Sequence, residues 1–118
     1  VLIQEENILE KKYEDEVYKR LMTKEEALFL QELMCGVVED GTGHRLQEAE
    51  YTSAGKTGSA EFGNNPADSH AWFTGHAPAQ DPKVCVTVII EGAGTGGDYA
   101  VPVAKRLFDA YFQQYSAK

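Results

Sequence analysis

Apolar positions along the chain change their period twice. Leu30, Leu33, Met34 and Val37 follow helical spacing, and Leu28, Phe29 and Val38 widen the stripe. Thr23 and Glu26 form a Thr-x-x-Glu capping box ahead of that run. A helix is expected from Lys24 to Val38, buried along one side and stopped by Gly41 and Gly43. The stretch from Tyr51 to Phe62 is rich in small residues, and its glycines imply that something approaches the backbone closely. Ala71 to Ala77 reads as a second strand centred on Trp72 and Phe73, followed by an Asp81-Pro82 turn. Val84 to Ile90 is a nearly unbroken run of β-branched residues, expected to be a central strand buried on both faces. The short loops between these runs favour antiparallel pairing. Beyond a glycine-rich loop, Pro102 fits a first helical turn, and Val103, Ala104, Leu107, Phe108, Tyr111, Phe112 and Tyr115 repeat at helical spacing. The fold class is therefore α+β, with an antiparallel sheet of about three strands flanked by helices. Ahead of this helix–three strands–helix core over 23–118, residues 1–22 read as a hairpin and a charged connector.

Length and charge narrow the possible functions. The chain has 118 residues, 42% hydrophobic and 25% charged, which is one globular domain's worth. Eleven Lys+Arg stand against 19 Asp+Glu, for a formal net charge of −8. Nucleic-acid binding rests on clustered cations, so no nucleic-acid partner is expected. No apolar run approaches the ~18 residues of a membrane span. The start at Val1 rather than Met raises the expectation of an excised or processed segment.

Candidate chemistry sorts quickly. Cys35 and Cys85 match no metal spacing and read as free buried thiols, and His44, His70 and His76 are not spaced as zinc ligands. Gly92, Gly94 and Gly97 fit G-x-G-x-x-G, but no second parallel strand can follow, so the segment reads as a flexible strand-to-helix connection. Ser53 and Lys56 fit S-x-x-K, a nucleophile motif that needs both residues one helical turn apart. On a strand containing Gly55 they fall on opposite faces, so the match is accidental. Lys56-Thr57-Gly58 is K-T-G, a signature of penicillin-binding proteins and β-lactamases.

The surroundings of that tripeptide carry more weight. Ala54-Gly55-Lys56-Thr57-Gly58-Ser59-Ala60-Glu61 closely resembles the AGKTGTAE run of penicillin-binding protein transpeptidases. The run from His70 to Pro78 resembles that family's following strand, AWFxGFAP, and Gly36 to Gly43 resembles its GVVxxGTG lead-in. Gly96-Gly97 through Pro102 and the closing helix resemble the family's C-terminal element, so the likeness runs in order from Thr23 to Tyr115.

The resemblance implies part of a serine-type peptidoglycan D,D-transpeptidase that cross-links stem peptides, is acylated by β-lactams and uses no metal or organic cofactor. It implies a membrane-anchored parent on the extracytoplasmic face of the bacterial membrane. Within the site it assigns Lys56 as a catalytic cation at the cleft. Thr57, Gly58 and Ser59 bind substrate: the two hydroxyls take the terminal carboxylate, and Gly58 lets the substrate backbone approach. The backbone N–H of Ser59 is the second oxyanion-hole donor. Ser59 departs from the family's commoner threonine but keeps the hydroxyl. His76 replaces a usual phenylalanine, with a packing or solvent-facing consequence expected. The family's serine nucleophile and its S-x-N motif are not found in this stretch, and Ser69, followed by His70, supplies neither. The isolated fragment is therefore expected to be inactive. Its Val84–Ile90 strand is expected to present an unpaired apolar edge that favours self-association. A β-lactam sensor, a β-lactamase-type member and a non-catalytic interaction module are the alternatives.

Overall fold

The computed structural model describes residues 14–65 and 67–116. The hairpin expected before residue 14 lies outside them. Helix α1 (Lys24–Glu39) begins at the expected cap. The Thr23 Oγ1 accepts the Glu26 N–H at 3.2 Å, and the Glu26 carboxylate accepts the Thr23 N–H at 2.7 Å. These bonds hold the Glu26 carboxyl below its ordinary range, the backbone bond contributing most. The helix ends where the chain folds back on it, with the Gly43 N–H donating to the Val37 carbonyl at 2.9 Å. A Cβ at Gly41 would sit 2.8 Å from that same oxygen, which is why this stop needs glycine.

One expectation for α1 is corrected. Only Val38 of its stripe is buried, while Leu28, Phe29, Leu30 and Leu33 are 45–61% exposed. The C-terminal part of the helix packs on the sheet side of the molecule, with Val38 in the core and the Gln31 amide donating to the Ala79 carbonyl. Met34 and Val37 are partly buried, and the four residues nearer the start of the helix are left largely to solvent among the described residues.

Strands β1 (Ala54–Glu61), β2 (Ser69–Ala77) and β3 (Val84–Ile90) form one antiparallel sheet in the order β1-β2-β3. Register places Thr57 opposite Phe73 and Phe73 opposite Val88, so these share a face. That face, with Ala71, Ala77 and Val88, packs on Val101, Ala104 and Phe108 of helix α2 (Val101–Ser116). Gly55 and Gly75 flank the Phe73 ring: a Cβ at either would come within 2.6 Å of it. The close approach anticipated from the small residues is thus, in part, an aromatic ring lying across two strands.

For β3, the expected unpaired edge is what the described sheet shows, and the expected burial on both faces is corrected. The central strand is β2, and β3 is an edge strand of the described sheet. Cys85, Thr87 and Ile89 on its second face are exposed. A run of β-branched residues specifies a strand able to be covered on both sides, but the covering elements are set elsewhere in a chain. Cys85 is accordingly not a buried thiol, and Cys35 is only partly buried. Burial and the nearby Glu39 and Glu32 carboxylates raise the Cys35 thiol above its ordinary range.

Candidate functional site

The site is built on β1. Ser53 precedes the strand and is buried, whereas Lys56 is exposed on it, so the S-x-x-K match has no helical turn. Alternation puts Thr57 and Ser59 on the face they share with Phe73 and Ala71, and Lys56 and Gly58 on the other. Both hydroxyls therefore point to one side, as the period of a strand requires. No further strand pairs with β1 on the side away from β2 among the described residues.

Each hydroxyl is met from behind by a loop. Thr42 follows α1, and its Oγ1 lies 2.5 Å from the Thr57 Oγ1. The Gly96 N–H donates to the Ser59 Oγ at 3.3 Å. The Lys56 ammonium donates to the carbonyl of Thr57 at 2.6 Å, which places that carbonyl on the side of β1 away from β2. In an antiparallel strand the N–H two residues on faces the same way, so the Ser59 N–H is directed to that open side. The Lys56 ammonium and the Ser59 N–H thus lie along one stretch of strand edge, with the two hydroxyls on the face shared with Phe73. Lys56 makes no ion pair with any described residue.

The glycine-rich loop differs from the flexible connection anticipated. The Ser69 Oγ donates to the Gly94 carbonyl at 2.8 Å, and the Gly94 N–H returns a bond to the Ser69 carbonyl at 3.0 Å. The Gly92 N–H donates to the His70 Nδ1 at 3.0 Å. Gly94 has φ +111°, open chiefly to glycine. Gly96 is buried, and a Cβ there would lie 2.6 Å from the Gly58 carbonyl. The loop is thus fitted against β1 beside Ser59. Asp98 braces it, accepting from Thr95 at 2.7 Å and pairing with Arg45 at 2.9 Å.

A second brace holds the segment entering β1. The Tyr51 hydroxyl donates to Asp109 at 2.8 Å, and Lys105 pairs with the same carboxylate at 2.9 Å. The Tyr51 ring stacks on Phe112 at 4.6 Å. Burial, then the neighbouring carboxylate, pushes the Tyr51 phenol well above its ordinary range. Burial alone would raise Asp109, but the bonds from Lys105 and Tyr51 outweigh it and hold the carboxyl low. His76 is half-buried on the opposite face of the sheet, and its Nδ1 has no hydrogen-bond partner among the described residues. No three metal-ligating side chains converge among those residues. Sequence reasoning had not assigned a site role to Thr42, Gly96 or Asp98.

Comparison with known proteins points the same way. The family model described as the penicillin binding protein transpeptidase domain matches residues 2–109. The peptidoglycan D,D-transpeptidase PbpA of Mycolicibacterium smegmatis is 36% identical over 83% of this chain and 21% of its own length. MrdA of Haemophilus influenzae, also a peptidoglycan D,D-transpeptidase, is 39% identical over 64% of this chain and 14% of its own length. The chain thus spans about a fifth or less of these relatives. Among solved structures, Pseudomonas aeruginosa PBP2 in complex with WCK 5153 aligns with TM-score 0.71 and 28% identity over 86% of this chain and 23% of that one. Penicillin-binding protein A of Mycobacterium tuberculosis, as a ceftriaxone acyl-enzyme complex, aligns with TM-score 0.60 and 38% identity over 69% of this chain and 20% of that one.

Proposed function

The chain belongs to the penicillin binding protein transpeptidase domain family, and from that membership we propose that it forms the carboxylate-binding wall of a serine D,D-transpeptidase that cross-links peptidoglycan stem peptides and is acylated by β-lactams. The observation that carries this reading is the edge of β1, where Thr57 and Ser59 share one face and the Lys56 ammonium and Ser59 N–H meet the open side. An incoming peptide ending in a carboxylate finds hydroxyl donors and a cation there, and its backbone adds along the strand past Gly58. The Ser59 N–H serves as an oxyanion donor, an arrangement whose loss typically costs about 10²–10³ in rate. The attacking serine comes from outside this stretch of chain, so the 118 residues alone are inactive. The enzyme works at the outer face of the cytoplasmic membrane and is held there by a membrane anchor. The isolated piece associates with itself through β3.

The test is acylation of the complete transpeptidase domain that carries this segment, using a fluorescent penicillin. Thr57→Ala and Ser59→Ala should each weaken acylation by roughly 1–3 kcal/mol, the range for a charged acceptor deprived of a donor, with the fold intact by circular dichroism. Unchanged rates in both variants would remove these hydroxyls from the site. A slow release of the bound penicillin separates a transpeptidase from a β-lactamase-type enzyme.

A further inference from the structure

Resting on the reading that Thr57 meets a ligand carboxylate, we propose that Thr42 is a positioning residue that occupies one acceptor site of the Thr57 hydroxyl and biases it to donate, and that this sets the site's preference for a carboxylate over an uncharged carboxamide. A hydroxyl has one hydrogen and two acceptor lone pairs. At 2.5 Å between the two Oγ1 atoms, one hydrogen lies between them. A carboxylate only accepts, so Thr57 can serve it only if its own hydrogen is free. That condition is met when Thr42 donates to Thr57 and Thr57 donates onward. A hydroxyl that accepts one bond is polarised to donate the next more strongly.

Ser59 is built the same way. Its oxygen accepts the Gly96 N–H, a backbone group that can only donate, leaving the Ser59 hydrogen for the ligand. Two loops far apart in sequence thus back the two hydroxyls of β1 and leave both hydrogens available to a ligand. Thr42 is held in place for this. Gly41 and Gly43 fold its loop onto the end of α1, and Gly97 packs so closely that a Cβ there would lie 2.7 Å from the Thr42 carbonyl. A carboxamide presenting its NH₂ to such a pair would set donor against donor.

The experiment uses the complete transpeptidase domain and measures the ratio of acylation rates for a penicillin with a free carboxylate and for its primary carboxamide. The ratio is independent of the folded fraction. Thr42→Val should lower it by about tenfold, the size of one neutral hydrogen bond. Thr42→Ser, which keeps the hydroxyl, should restore it to within about twofold of wild type. Thr57→Val should lower it further, and Thr42→Val added to Thr57→Val should have no additional effect, because both act through one bond. A Thr42→Val ratio equal to wild type while Thr57→Val lowers it would overturn the proposal and leave the carboxylate site standing. A loss larger for Thr42→Val than for Thr57→Val would overturn it too, making Thr42 itself the ligand. No change in either would remove Thr57 from the carboxylate and the proposal with it.

Discussion

At the scale of single residues, the site is a matter of which hydrogen bonds are already taken. Thr57 and Ser59 were legible as a pair because a strand alternates with period 2 and Gly58 separates them. Their partners were not legible. Thr42 reaches Thr57 across a turn and a 3₁₀ segment, and Gly96 reaches Ser59 from beyond two further strands. No local pattern encodes such pairings. The signature of Gly96 is likewise invisible in sequence, since its glycine is demanded by the Trp72 and Gly58 carbonyls beneath it. Gly96→Ala should therefore destabilise the chain by about 1–3 kcal/mol, as overpacking does, read from denaturant midpoints. A midpoint equal to wild type would mean the loop does not lie on β1. Ser53, placed just before β1 with no helical turn to Lys56, yields a second expectation. Intact-mass analysis of the isolated chain after incubation with penicillin should show no adduct, and an acyl group on Ser53 would contradict the reading of the S-x-x-K match as accidental.

Elements show where pattern and packing part company. Both helices, all three strands and the capping box followed from periodicity and end signals. What those signals do not contain is which elements come to rest against which. The stripe of α1 was read as a buried side, yet Leu28, Phe29, Leu30 and Leu33 face outward; β3 was read as buried on both faces, yet Cys85, Thr87 and Ile89 are exposed. The join between α2 and the segment entering β1 is more fully made. Its Tyr51–Asp109–Lys105 contacts give a pH dependence with a definite sign. The Asp109 carboxyl is held below its ordinary range, so it stabilises the fold above the unfolded value near ~4 and loses that contribution as pH falls through its lower folded value. Asp109→Asn should flatten this part of the acid limb in thermal melts between neutral and acid pH. An acid limb as steep as wild type would show that the brace contributes nothing. Thr23→Ala, which removes the cap of α1, should cost about 1 kcal/mol, seen as a lower denaturant midpoint.

For the whole molecule, the exposed apolar surface is the consequence that matters. The described residues leave β3 with an open hydrogen-bonding edge, Ile89 exposed beside it, and the α1 stripe in water. Edges of that kind pair with other strands, and apolar patches associate. The isolated chain should form a dimer or higher assembly, joined through β3. Light scattering that reports a monomer across a wide concentration range would contradict this. Lys residues placed at Cys85 and Thr87 should shift the assembly toward monomer if the joint involves the exposed face beside the edge.

In the proposed function, β1 is the wall that holds a carboxylate beside an acyl group. The measurement that reaches this claim most directly is a crystal structure of the complete transpeptidase domain acylated by a β-lactam. The ligand carboxylate should lie about 2.7–3.0 Å from the hydroxyl oxygens of Thr57 and Ser59, with the Lys56 ammonium near it and the acyl oxygen on the Ser59 N–H. A carboxylate bound away from β1, with both hydroxyls facing only Thr42 and Gly96, would contradict it.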